Sequence, residues 1–451
     1  TREARDWSSD VCSSDLRTLT FALMLRPLQV NGPRQFLTTP GGVSPVPSVR
    51  WTGEDIQLAD GSRIPPLSMP DTFLASSFAA GADPQSLLAS GRSPAAEAAD
   101  GDALAAGAMV WSVTLQPGET RTFGFAAPWD DPITAPRLAP DQVAGWLETI
   151  QTRVAAQWRE KLDRFDVTLP PEAGPVEAVM KSSLAHMLMS RQGPILQPGT
   201  RSYNRSWIRD GAMMAEGLNR LGHAELSADY LRWFAPYVFD NGKVPCCVDA
   251  RGADPVPEND SHGEFVFLAA ETYRYTGDLE ALRAVWPQVQ GAIRYMDELR
   301  ASTRTAEFEA ADKRHLFGLL PPTISHEGYS DRPAYSYWDD FWGLRGYGDA
   351  VFIAETLGDA EAAARFRAAE AQFKADIIAS IEATARVHGI DWIAGAADRG
   401  DFDATSTTIG LSPGGSIDDL PQSPPALTFD KDRQSTRRNS SHVLISYAGF
   451  C

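Results

Sequence analysis

Cysteine is scarce in this 451-residue chain, with four in all. Cys12 and Cys451 lie near the two ends, and Cys246 and Cys247 are adjacent. Adjacent cysteines build no disulfide framework, and no Cys/His spacing suits zinc, so neither a cystine scaffold nor a metal centre is expected. Positive charge is also short: 41 Lys and Arg face 59 Asp and Glu, a net charge of −18. Phosphate backbones need a basic surface, so a nucleic-acid partner is excluded. No apolar run reaches the roughly 18 residues a membrane-spanning helix needs, so no span is expected. No sequence feature calls for a cofactor. What remains is an ordinary globular composition, 43% hydrophobic and 22% charged, long enough for two or three domains.

The two ends differ from the rest. Residues 1–16 and 433–451 are Ser-rich, lack hydrophobic periodicity and carry no helix cap. Both resemble translated sequencing-adapter read-through and are set aside as non-native tails, which implies a natural protein truncated on both sides. Residues 17–135 are rich in Thr, Val, Pro and Gly with short apolar runs, the pattern of the C-terminal part of a β-sandwich. Within them Met109–Leu115 and Thr120–Phe125 alternate about a Pro-Gly turn and predict a hairpin, while residues 80–107 read as a loop or insertion. Residues 136–175 form a linker with a helix beginning near Asp141, its apolar positions at Val143, Trp146, Leu147, Ile150, Val154 and Trp158.

From residue 176 to 432 the pattern is helical. The expected helices span 176–191, 207–221, 225–236, 262–276, 279–300, 338–356 and 360–386. Three of them open on polar, carboxylate-rich motifs: Trp207-Ile-Arg-Asp-Gly, Asp260-Ser-His-Gly-Glu and Trp338-Asp-Asp-Phe-Trp. Each runs into a similar turn, at Leu221-Gly-His, Thr276-Gly-Asp and Leu357-Gly-Asp, and a second helix follows. Such closely spaced helices fold back antiparallel. The long loops 237–261 and 301–337 return the chain to its starting end, and loops of that length usually carry function. The motifs are therefore expected to converge on one cavity.

Helices alternating in this way, with polar motifs at every first-helix start, resemble the (α/α)6 toroid of the six-hairpin glycosidases, the glucoamylase-like family in particular. Tyr203-Asn-Arg-Ser-Trp-Ile-Arg-Asp-Gly looks like that family's Trp-x-Arg-Asp segment, which grips the terminal sugar; the matching pair is Arg209 and Asp210. Tyr335-Ser-Tyr-Trp-Asp-Asp-Phe-Trp resembles the segment in which a Trp precedes two acids, the first being the general acid. That position is Asp339, with Asp340 beside it; Asp-Asp stands where glucoamylases carry Glu-Glu. Phe402-Asp-Ala-Thr-Ser-Thr looks like the start of the next inner helix. The resemblance implies a mostly α fold, a partial (α/α)6 toroid preceded by the remnant of a β-sandwich and a linker helix. It implies an inverting exo-glycosidase acting on an oligo- or polysaccharide, without cofactor. The family's catalytic base lies near the last hairpin, beyond Arg433, so the chain as written is expected to be inactive.

The chemistry agrees with the residue types. Glycoside hydrolysis needs two carboxyl groups, one of which must hold a proton near neutral pH. Burial among Trp338, Phe341 and Trp342, together with the like charge of Asp340, raises Asp339; the helix N-terminus opposes this. Arg209 and Asp210 offer sugar hydroxyls a donor fork and an acceptor. Tyr203, Trp207, Trp338 and Trp342 can stack on sugar, and Glu258, Asp260, His262 and Glu264 complete the candidate substrate contacts. Each has a plain structural counterpart: Asp339 and Asp340 as helix-start acids, Arg209 and Asp210 as a buried ion pair, the tryptophans as core, Asp260 as a helix cap. A carbohydrate-binding toroid without turnover is the alternative function.

Overall fold

The computed structural model describes residues 17–27, 29–31, 42–43, 45–80, 84–90, 95–127, 135–200, 203–415, 420 and 428. Both Ser-rich terminal tails lie outside the described residues. The chain divides into two compact units, Thr1–Lys161 and Leu162–Cys451.

In the first unit, Arg17–Leu25 and Thr72–Ser76 flank Ala106–Leu115 in an antiparallel sheet, with Phe21 opposite Trp111. A second sheet orders Arg63–Ile64, Ile56–Leu58, Ser48–Trp51 and Glu97–Ala99. Val49 and Ile56 of one sheet and Phe73, Met109 and Trp111 of the other bury a common apolar cluster. The hairpin expected between Met109–Leu115 and Thr120–Phe125 does not form. The partner of the first strand is Arg17–Leu25, and Phe123 instead stacks on Phe21 at 4.7 Å and lies 5.1 Å from Trp111. Burying that aromatic outweighs a local turn. Where residues 80–107 read as a loop or insertion, the described residues hold helix α1 (Pro84–Ser90) and the strand Glu97–Ala99. Helix α2 (Val143–Leu162) follows.

The second unit begins with α3 (Gly174–Ser190). Three hairpins follow: α4 (Ile208–Arg220) with α5 (Ala224–Phe234), α6 (Asp260–Thr276) with α7 (Leu279–Thr303), and α8 (Tyr337–Leu357) with α9 (Ala360–His388). The repeated turns have one physical basis. Gly222, Gly277 and Gly358 take left-handed φ values of 83°, 64° and 79°, the conformation that closes a helix C-terminus and costs least for glycine. After two of them Asp278 and Asp359 cap the next helix, accepting from Ala281 N and Ala362 N at 3.0 Å. Helices α4, α6 and α8 pack side by side, and α5, α7 and α9 pack against them. Gly263 and Gly346 let α6 and α8 approach closely, since a Cβ at Gly263 would lie 2.0 Å from the Trp342 carbonyl oxygen. Among the described residues, the segment opened by Phe402 holds only the five-residue α10 (Ala404–Thr408), capped by Asp403.

Candidate functional site

Ser206 and Trp207 form a short strand paired with Cys247–Asp249, Trp207 opposite Cys247. Ile208 N donates to Cys246 O at 2.9 Å, so the chain passes from strand to helix and sets Arg209 and Asp210 in the first turn of α4. Arg209 does not pair with Asp210. Its Nη1 donates to Glu258 Oε2 at 2.8 Å and Asp260 Oδ2 at 3.0 Å, and to the Ser325 carbonyl at 3.4 Å. Successive helical residues diverge by about 100°, which sends Arg209 toward α6 and leaves Asp210 on another face. Asp260 is not the cap of α6 but its first residue, and the same Oδ2 accepts from Trp338 Nε1 at 2.7 Å. One arginine and one aspartate thus tie together the N-terminal ends of α4, α6 and α8.

Asp339 and Asp340 face different surroundings. Asp339 is buried; its Oδ2 accepts from Thr323 Oγ1 at 2.5 Å and its Oδ1 from Ser325 Oγ at 2.8 Å. Burial, reinforced by the charge of Asp260, holds its carboxyl well above the usual range, and the two hydroxyls offset this only in part. Asp340 accepts from Leu320 N at 2.9 Å, and its other oxygen has no hydrogen-bond partner. Burial pushes it up to about 8, and its charged neighbours are Arg300 of α7 and Asp376 of α9. Asp340 therefore fixes the loop at Leu320 on the outer side of the helix.

The remaining candidates divide. Glu264 is fully buried, and neither of its oxygens has a hydrogen-bond partner. His262 stacks on Tyr295 of α7 with ring centroids 5.0 Å apart, its Nδ1 3.2 Å from Asn259 O; burial lowers it to about 4, so it stays neutral. It packs between two helices rather than facing the other motif residues. Trp342 is likewise core, edge-on to Phe267 at 5.4 Å. Trp207 is buried beside the exposed Tyr203, their rings 5.7 Å apart.

A cavity of about 610 Å³ opens at this end of the unit, lined among others by Tyr203, Trp207, Arg209, Asp210, Met213 and Glu327. Asp339 lies behind its wall, linked to Arg209 through Ser325. Thr323, Ser325, His326 and Glu327 were not among the sequence candidates. They sit in the long loop before α8, whose length was the one available signal. Ser325 and Glu327 adopt φ values of 54° and 67°, which no glycine or asparagine in the sequence announces.

Charge in this cluster is unbalanced. Arg209 is buried with Asp260, Glu258, Glu264 and Asp210 as its charged neighbours, so the four carboxyls cannot all ionise beside one cation. Burial lifts Glu258 to about 8 and Glu264 well above its ordinary value, and it raises Asp210. A carboxyl raised on folding stabilises the fold below its unfolded value and loses that contribution as pH rises through its folded value. Glu258 and Asp340, both near 8, set the window. Denaturant midpoints measured from about pH 5 to pH 9 are expected to fall up to about pH 8 and to level off above it. A midpoint that climbs across that range would mean that these carboxyls are ionised in the folded protein.

Among the described residues one group has three possible metal ligands together: Cys246, Cys247 and Asp254, their donor atoms within 4.8 Å. Its carboxylate is already engaged by Arg205 Nη2 at 2.6 Å. No described helix is long and apolar enough to cross a membrane.

No protein-family description matches this chain, and no curated protein matches it. Among solved structures it is similar to a bacterial glucoamylase complexed with acarbose, at 13% identity and a TM-score of 0.46, covering 74% of this chain and 48% of that one. It is also similar to a rhamnosidase from Klebsiella oxytoca with rhamnose bound, at 15% identity and TM-score 0.37, covering 52% of this chain and 42% of that one. An alpha-L-rhamnosidase from Dictyoglumus thermophilum matches at 15% identity and TM-score 0.38, covering 58% of this chain and 28% of that one. The chain thus spans about half the length of the glucoamylase it resembles.

Proposed function

We propose that this chain carries the sugar-binding and acid half of an inverting exo-glycosidase built as an incomplete (α/α)6 ring, with Asp339 as general acid. The carrying observation is the carboxyl cluster around Arg209 at the joined helix ends, beside a cavity whose wall includes Trp207 and Tyr203. A volume of about 610 Å³ suits a sugar ring with part of its neighbour. Arg209 and Asp210 offer donor and acceptor to hydroxyls, and the aromatic rings offer apolar faces. Burial favours the protonated form of Asp339, the form a general acid needs. In this reading sugar binding displaces the Thr323 and Ser325 hydroxyls from Asp339.

One observation favours a second assignment: Asp210 lines the cavity directly and is also raised by burial. Kinetics on a panel of 4-nitrophenyl glycosides separate the two. With Asp339 as acid, Asp210→Asn raises KM by about tenfold, the scale of one charged hydrogen bond, and largely spares kcat. A kcat loss confined to Asp210→Asn transfers the acid role to Asp210.

A further inference from the structure

We propose that Cys246 and Cys247 are a redox pair: hydrogen peroxide closes them to a disulfide between neighbours, and that bond fixes the start of α4. The inference is independent of the glycosidase reading.

The fold brings the two sulfurs together. In a β-strand successive side chains point to opposite faces, so neighbouring cysteines within a strand do not meet. Here the strand begins only at Cys247, after Pro245 and Cys246, and the two Sγ atoms lie 2.7 Å apart. That is nearer than unbonded sulfurs pack and longer than a bond. Both residues are buried. Arg205 is close enough to Cys247 for their charges to interact, and a cysteine beside a cation is the kind that reacts. The Cys246 thiol is held up by its hydrogen bond with Cys247, by burial and by the charge of Glu258. The surroundings thus divide the roles: Cys247 attacks the oxidant, and Cys246 closes the bond. Burial selects the oxidant, because a small uncharged peroxide reaches a pair that bulky disulfides cannot.

The pair is tied to the cavity wall by its backbone. Cys246 O accepts from Ile208 N at 2.9 Å, and Cys247 O accepts from Asp254 N at 2.9 Å. Cys247 stands opposite Trp207 in the strand pair. Arg205 pairs with Asp249 at 3.0 Å and Asp254 at 2.6 Å, and its guanidinium lies 5.7 Å from the centre of the Trp207 ring. Trp207, Arg209 and Asp210 all line the cavity. A bond between the sulfurs closes a ring through the Cys246–Cys247 peptide, whose carbonyl is the one that Ile208 N meets. Closing the ring holds that carbonyl, and with it the first turn of α4. Neighbouring Cα atoms are about 3.8 Å apart, where ordinary disulfides span about 4.4–6.8 Å, so added thiol opens the bond readily.

The chemistry takes two steps. The Cys247 sulfur attacks one peroxide oxygen; a sulfur–oxygen bond forms, the oxygen–oxygen bond breaks, and one water leaves. The Cys246 sulfur then attacks the Cys247 sulfur; the sulfur–sulfur bond forms, the sulfur–oxygen bond breaks, and a second water leaves. The two thiols together lose two electrons and two protons, and one peroxide is reduced to two waters.

The test treats the folded full chain with hydrogen peroxide, then unfolds it in N-ethylmaleimide and digests it with trypsin. Cleavage after Lys243 and Arg251 isolates both cysteines on the peptide Val244–Arg251. The expected result is two maleimide labels on that peptide before oxidation and none after it. The unlabelled peptide should be lighter than its dithiol form by two hydrogens, and dithiothreitol should restore both labels. Hydrogen exchange supplies the second readout: amides of Ser206–Arg209 should exchange more slowly in the closed form, and peroxide should not slow them in Cys247→Ser. A peptide that keeps both labels, gains oxygen instead of losing hydrogen, or is found bonded to Cys12 or Cys451 overturns the inference. Closure without any change in exchange at Ser206–Arg209 overturns the link to α4. The first readout needs no variant, so a Cys247→Ser chain that fails to fold leaves it decisive.

Discussion

Where a catalytic base completes the site, replacing Asp339 with Asn is expected to lower the rate of glycoside hydrolysis by at least about 10²-fold, the scale of one general acid, while sugar still binds. The substitution keeps volume and keeps an acceptor for Ser325 Oγ at the 2.8 Å position, so the loop over the site should hold. What it removes is the transferable proton, whose retention on Asp339 burial and the charge of Asp260 favour. Its loss should be worst for glycosides with poor leaving groups, which need protonation most, and milder for 4-nitrophenyl glycosides. Activity of the unaltered protein should decline at alkaline pH, where a raised carboxyl finally gives up its proton. If Asp340→Asn abolishes turnover and Asp339→Asn does not, the roles are reversed. The hydrogen bond from Leu320 N to Asp340 favours Asp339 as the acid, because it commits Asp340 to holding a loop.

Arg209→Met is expected to produce the largest loss of stability. Arg209 is 9% exposed and is the cation shared by Glu258 and Asp260. Removing one partner of a buried ion pair costs about 3–5 kcal/mol, because the charge left behind has lost its compensation. The carboxyls can recover part of this by taking up protons. The loss should therefore be smaller at mildly acidic pH than at alkaline pH, where Glu258 is forced to ionise. Chemical unfolding of the helical unit at the two pH values measures the difference. An equal loss at both would mean that Arg209 stabilises by packing alone.

Much of the helical unit was legible because its punctuation is local. The three motif-helix-turn repeats predict three hairpins, and the glycines and Asp caps that end and start them are chemical necessities visible in the text. The first unit was less legible. Whether Ala106–Leu115 pairs with its neighbour or with Arg17–Leu25 is decided by where Phe123 finds aromatic partners, and that contact is non-local. The site shows the same contrast. That Arg209 and Asp339 are buried polar groups follows from their motifs. That Arg209 reaches across to Glu258 and Asp260, rather than to Asp210, depends on helix phase and on the closeness of α4 to α6. Ser325 and Glu327 carry left-handed backbones that their residue types do not announce, so no sequence pattern points to them. His262 and Trp342 show the converse: both lie in a motif, yet the helix turns them into the core.

Proton NMR tests the glycosidase reading most directly. The chain is incubated with a panel of α- and β-glycosides of neutral hexoses and deoxyhexoses, and the anomeric signals of the released sugar are followed from the first minutes. Any glycoside that is cleaved is expected to lose its sugar from the non-reducing end. The first sugar to appear should be the anomer opposite to that of the substrate, because water enters from the face opposite the leaving group. Release of the same anomer would contradict the inverting mechanism.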